Sequence, residues 1–215
     1  MRTVLQSSFS NNSLDKFKNN PSFHDYMDGF SYQIKIPKDR IAVLIGKKGE
    51  TKRLLEDSLK ITLDIDSHEG DITIVGEDAL NLYSGREIIR AIGRGFNPDL
   101  AMLLLKQDYA FEILTLPETD KKNHMTRIKG RVIGTDGKTR RIIEDTTECY
   151  ISVYGKTVSV IGRADSINIA RRAIEMILKG SPHSTVYRWL EKMRRELKRR
   201  EMEENLIGSN RLLED

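Results

Sequence analysis

The stretch IGKKGETKRLLED, Ile45–Asp57, sets two glycines three residues apart, places two lysines between them and runs on into a helix-like segment. A plain surface turn needs one glycine and no particular charge. Paired glycines remove two Cβ atoms from a single turn, so the main chain there can come close to another group. Lys47 and Lys48 favour an anion as that group. A helix that starts right after the turn adds unpaired N–H donors and the positive end of its dipole. The combination suits a phosphate.

The stretch recurs. GKKGETKRLLED (Gly46–Asp57) aligns with GTDGKTRRIIED (Gly134–Asp145), 88 residues on, with six of twelve positions identical and three more exchanging Lys for Arg or Leu for Ile. Downstream, ITLDI matches CYISV, and DITIVG (Asp71–Gly76) matches TVSVIG (Thr157–Gly162). A helical stretch follows each copy. Four elements in the same order twice mark an internal duplication.

Each copy reads as a strand (YQIKIP or FEILTLP), a first helix (about Asp39–Ile45 or Met125–Ile133) and the glycine turn. A second helix follows (about Glu50–Leu59 or Lys138–Thr146), then a hairpin of two alternating strands and a long closing helix. Leu80, Ile88, Ile89 and Ile92 predict the buried stripe of the first closing helix; Ile167, Ile169, Ala170, Ile174 and Ile177 predict that of the second. Between the copies, GFNPDLAMLLLKQDYAF predicts a short buried helix after an Asn-Pro signal, joining the copies into one rigid body. After the second copy comes a long helix with Val186, Trp189, Leu190, Met193 and Leu197 on one face. That face packs on the second copy or serves a partner. The basic residues from Arg194 to Arg200 alternate with Glu and read as a solvated face, with RNA contact as the alternative. Residues 1–29, rich in Asn and Ser with scattered aromatics, read as a disordered arm or as a short docking segment.

A G-x-x-G turn between two helices of a βααββα unit is similar to the KH fold, whose GXXG loop clamps the backbone of four nucleotides. The expected fold class is therefore α+β: two tandem type I KH domains, each a three-stranded sheet with helices on one face, plus a C-terminal helix. The expected division is an arm at 1–29, a first KH domain at 30–95, a helical linker at 96–108, a second KH domain at 109–180, and a C-terminal helix and tail at 181–215. The candidate RNA-binding residues are Ile45, Gly46, Lys47, Lys48, Gly49, Lys52 and Arg53 in the first copy. In the second they are Ile133, Gly134, Thr135, Asp136, Gly137, Lys138, Arg140 and Arg141. Ile45, Leu55 and Leu63, with Ile133, Ile143 and Ile151 as counterparts, are expected to line an apolar groove for unstacked bases. Asp136 stands where the first turn has Lys48 and repels a phosphate, so on charge alone the first turn is the better clamp. The alternative is a repeated scaffold whose turns only make tight connections; charge and spacing favour the clamp.

The whole chain permits this reading. It has 215 residues, 38% hydrophobic and 32% charged, with 36 Lys plus Arg against 32 Asp plus Glu and a net charge of +4. The excess is mild, so local clustering carries the argument. No stretch has the length of a signal peptide or a membrane span, and the one cysteine, Cys149, reads as a small buried hydrophobe, so a cytoplasmic location is expected. GKT at Gly137–Thr139 fails as a P-loop because Val132 stands where that motif needs glycine. The four histidines have no ligand spacing. Glu56, Asp57, Glu144 and Asp145 recur, but read as solvated or capping charges. No catalytic set stands out; no enzyme activity and no cofactor are expected.

Beyond the KH copies, GFNPDLAMLLLKQDYAFEI, GRVIGTDGKTRRIIEDTTECYISVYGKTVSVIG and ILKGSPHSTVY resemble the archaeal form of a tandem-KH small-subunit ribosome assembly factor family, the partner-of-Nob family. The resemblance covers roughly residues 31 to 190. It implies binding to single-stranded rRNA near the 3′ end of small-subunit rRNA, a Nob-type endonuclease as partner, and the alpha subunit of translation initiation factor two as another. In eukaryotic relatives the first copy has lost its glycine turn and the second contacts RNA, which points to Gly134–Gly137 where charge favours Gly46–Gly49. The competing expectation is a protein-interaction scaffold whose KH copies dock assembly or translation initiation factors with little RNA contact.

Overall fold

The structure is a computed structural model that describes residues 30–117 and 122–211. The arm expected at residues 1–29 and the last residues of the tail lie outside them. The first copy contains β1 (Phe30–Lys35), α1 (Lys38–Ile45), a 3-10 turn (Lys47–Gly49), α2 (Glu50–Leu59), β2 (Ile61–Asp66), β3 (Asp71–Gly76) and α3 (Ala79–Gly93). A short α4 (Pro98–Ala101) and a 3-10 turn (Met102–Leu105) lead to the second copy. This repeats the pattern as β4 (Tyr109–Thr115), α5 (Lys122–Ile133), a 3-10 turn (Thr135–Gly137), α6 (Lys138–Thr147), β5 (Tyr150–Tyr154), β6 (Thr157–Arg163) and α7 (Ala164–Leu178). Helix α8 (His183–Arg211) follows. The first helix of each copy starts earlier than expected, at Lys38 and Lys122.

Each sheet is antiparallel with the third strand central, in the orders β1-β3-β2 and β4-β6-β5. Alternation decides which side is buried. In the first sheet Leu63 pairs with Ile74 and Ile65 with Ile72, facing the helices. In the second, Ile151 pairs with Val160 and Val153 with Val158. Helix ends follow local chemistry. The Asp78 carboxylate accepts from Leu80 N at 2.8 Å to start α3. Asn97 accepts from Leu100 N at 2.9 Å ahead of Pro98, so the Asn-Pro signal opens α4.

The closing helices bury the stripes expected of them, with one correction. Leu82, Ile88, Ile89 and Ile92 are fully buried, whereas Leu80 is 76% exposed. The Asp78 cap fixes the helical phase, and that phase turns Leu82 rather than Leu80 onto the sheet. In α7, Ile167, Ala170, Ile174 and Ile177 are buried, and Ile169 packs at the margin. Each buried Leu or Ile contributes roughly 1.5–3 kcal/mol over exposure.

The linker seals the two copies together. The back of the second sheet, away from its own helices, meets the end of α3 and the segment after it. Ser152 Oγ donates to Arg94 O at 2.8 Å, and Phe96 meets Phe111 edge-on with centroids 6.2 Å apart. Ile161 is buried among residues of the first core, and Leu100, Met102, Leu103 and Leu104 pack against that same core. Arg40 on α1 donates to Ile92 O and Phe96 O, closing the carbonyl end of α3. The Tyr154 hydroxyl donates to Asp39, and this bond raises the tyrosine pKa.

Helix α8 packs on the second copy. Val186 and Leu190 are fully buried, and Arg172 of α7 lies 5.7 Å from the Trp189 ring centroid. The helix is pinned to α5 at its start: Arg131 donates to Ser181 O at 2.7 Å, and the His183 ring bonds Arg131 O at 2.8 Å.

Candidate nucleic-acid interface

Both glycine turns adopt one backbone. Gly46 and Gly134 have φ/ψ of 74/177 and 75/174, a region open essentially to glycine alone. Lys48 and Asp136 are left-handed at φ 55 and 49, and Gly49 and Gly137 at φ 78 and 75. The two glycines of each turn are needed for different reasons. A Cβ on Gly46 would collide with Thr51, and one on Gly134 with Thr139. A Cβ on Gly49 would find only the tip of Arg53 at 3.9 Å, and one on Gly137 nothing within 4 Å. The first glycine thus lets the turn close on the following helix, and the second leaves open space on the outer side. That space fronts the start of α2 and α6, where no side chain caps the helix.

The charged side chains around the turns divide into free and tethered. Lys47, Lys48, Lys138 and Arg141 are exposed, as are Thr135 and Asp136. Arg53 donates to Lys48 O at 3.1 Å and so braces the first turn. Lys52 lies 3.8 Å from Glu56, and Arg140 donates to Glu144 at 3.3 Å. Those two glutamates also reach the neighbouring strand. Glu56 accepts from Leu63 N at 2.8 Å, and Glu144 accepts from Ile151 N at 2.8 Å. They are therefore tethers between the second helix and the edge strand, a role that corrects their reading as solvated charge. The repeat itself signalled it, since both acids stand seven residues before their strand partner in each copy.

The apolar groove is also corrected. Leu55, Leu63, Ile143 and Ile151 are buried in the two cores and are closed to a base. Ile45 and Ile133 are half-buried beside the turns. Behind the second turn, Tyr187 of α8 bonds Thr139 at 2.8 Å. Sequence reasoning missed this contact. Its partners lie 48 residues apart on different elements. Among the described residues, no group of three or more His, Cys, Asp and Glu could hold a metal ion. No helix among them is long and apolar enough to cross a membrane.

Comparison with known proteins agrees with this fold. A model for the second KH domain of Pno1, described as a eukaryotic type KH-domain of type I, matches residues 110–195, and the general KH domain model matches residues 31–91. The KH domain-containing protein MJ0443 of Methanocaldococcus jannaschii is 44% identical over 175 residues, covering 79% of this chain and 77% of that protein. The chain belongs to the tandem-KH family of Pno1 and Dim2. A chain of the a/eIF2alpha-aDim2p-rRNA complex from Pyrococcus horikoshii OT3 is 43% identical with a TM-score of 0.74; the match covers 80% of this chain and 98% of that one. Pre-rRNA-processing protein pno1 of Aspergillus fumigatus is 33% identical over 123 residues. This chain spans 49% of that fungal relative's length. The Pno1/Dim2 family is one of RNA-binding ribosome assembly factors and not of enzymes.

Proposed function

We propose that the chain binds single-stranded rRNA near the 3′ end of small-subunit rRNA and presents it to a Nob-type endonuclease, without chemistry of its own. One observation carries the reading: two G-x-x-G turns of matching backbone, each with its second glycine facing open space at an uncapped helix start. A phosphate there meets N–H donors and, in the first copy, Lys47 and Lys48. Unstacked bases lie beside Ile45 or Ile133, and phosphate contacts supply affinity while base contacts select. The related archaeal complex with rRNA and a/eIF2alpha supports both the ligand and a second partner, the alpha subunit of translation initiation factor two. The location that follows is cytoplasmic. The fifteen residues flagged at the two turns are the proposed contacts.

The test is a salt titration of binding to single-stranded RNA. The log–log slope is expected to be about −0.7 for each phosphate contact neutralised. Lys47→Asp with Lys48→Asp weakens binding and flattens the slope by about one contact or more. Gly137→Asp does the same for the second turn. Unchanged affinity and slope in both variants would leave the protein-docking scaffold as the correct reading.

A further inference from the structure

The two copies differ in what lies on the outer face of their last two helices. In the second copy α8 crosses that face. Tyr187 meets Thr139 on α6 and Trp189 meets Arg172 on α7. Farther along, Arg194, Leu197 and Lys198 share a crevice with Asp165 and Asn168 at the start of α7. The buried residues align α3 with α7, Leu82 matching Ile167 and Ile89 matching Ile174. That alignment places Leu80 at the position of Asp165 and Tyr83 at that of Asn168. The glycine turns place Leu54 of α2 at the position of Ile142, which packs against the second core.

These three residues therefore lie along the face that α8 crosses in the second copy, where Ile142 is half-buried and Asp165 and Asn168 stay exposed at the rim of the crevice. In the first copy it is bare of described residues: Leu54 is 49% exposed, Leu80 76% and Tyr83 54%. It is also the more apolar of the two, with Leu and Tyr where the second copy has exposed Asp and Asn. Grouped exposed apolar side chains mark a docking surface.

The patch continues to the point where the chain enters the fold. Phe30 and Tyr32, both exposed, stand on the helix side of β1, Tyr32 opposite Ile74. Arg86, one turn along α3 from Tyr83, lies 5.6 Å from the Tyr32 ring centroid. Phe30 pairs with Gly76, and Leu80 follows four residues later. The 29 residues before Phe30 thus begin at the margin of the patch. Those nearest to it carry Phe23, Tyr26 and Met27, the i, i+3, i+4 spacing of one helix face, after Pro21 and Ser22.

We propose that residues 20–29 of this chain cover the α2–α3 face of the first KH domain, with Phe23, Tyr26 and Met27 against Leu54, Leu80 and Tyr83, as α8 covers the second. The first copy is then capped from its N-terminal flank and the second from its C-terminal flank.

Hydrogen–deuterium exchange on the full chain tests this without RNA, so its result is independent of the RNA-binding reading. Amides of residues 22–29 are expected to exchange at least tenfold more slowly than in a synthetic peptide of residues 14–29. Leu80→Glu with Tyr83→Ser should return them to within about twofold of the peptide, with the melting transition unchanged because both side chains lie at the surface. Phe23→Ala with Tyr26→Ala should do the same. Exchange at the peptide rate in the unmodified chain, or protection that survives both variants, overturns the proposal. Protection that grows with protein concentration also overturns it, since a second copy would then supply the cover.

Discussion

Tyr187 sets its hydroxyl 2.8 Å from Oγ1 of Thr139, the residue whose side chain closes the space behind Gly134. The last helix therefore touches the second glycine turn from behind, through one side chain. The first turn has Thr51 in the same place, only half-buried, with no counterpart of α8 among the described residues. Tyr187→Phe keeps the ring and removes the hydroxyl. A net loss of about 1 kcal/mol is expected, since Thr139 is buried and loses its partner. Urea unfolding reads this directly, and Thr139→Val in the same background should add little further.

The two glycines of a turn should respond differently to the same substitution. Gly134→Ala puts a methyl into Thr139 at a backbone conformation that alanine scarcely adopts, so a loss of more than 3 kcal/mol is expected. Gly137→Ala meets open space and suffers only the left-handed conformation, about 1–2 kcal/mol. Equal losses in urea titrations would contradict the division of roles.

Glu144 holds a strand N–H and an arginine at once. Glu144→Ala leaves the Ile151 N–H without its carboxylate and frees Arg140, for a loss of about 1–3 kcal/mol. Glu144→Gln keeps an acceptor for the N–H and should recover much of it. The Glu56 pair should follow the same order, because Leu63 N depends on it in the same way.

Burial pushes the Cys149 thiol from 9.0 to about 11, against a weaker opposing hydrogen bond to Thr147. A raised folded-state value means that the neutral thiol is the form the fold prefers. Its contribution is intact below pH 9 and is lost as the pH rises through about 11, because the unfolded chain ionises first. Native protein at pH 8 should react with iodoacetamide far more slowly than protein in urea. In Cys149→Ala the alkaline fall in stability between pH 9 and pH 11 should be shallower.

Much of the architecture is local and was legible from residues alone. The glycine pairs, the Asn97–Pro98 start and the alternation of β3 and β6 each act through neighbours in the chain, so their reading survives folding. Leu80 shows where this stops. Leu80 and Leu82 are both apolar, and only the Asp78 cap decides which one faces the sheet. Leu55 and Leu63 show a second limit, since periodicity reports that a side chain is buried but not whether it forms a groove or the layer below it. Ser152 and Ser159 alternate with apolar residues as if facing water, yet Ser152 bonds Arg94 O at the end of α3 and Ser159 is fully buried. Contacts of that kind join distant parts of the chain and leave no local pattern. The candidate site was legible as residues and invisible as support: the second-helix glutamates and Tyr187 act on it from neighbouring elements.

The seal between the second sheet and the end of α3 has a consequence for any strand that engages both turns. Phe96 against Phe111, Ser152 on Arg94 and Tyr154 on Asp39 tie the copies together at three points. The two turns then behave as the jaws of a caliper set to one width. A ligand of matching length meets both without bending, and inserting or deleting nucleotides between its two contact points should cost affinity at once rather than being absorbed by the protein.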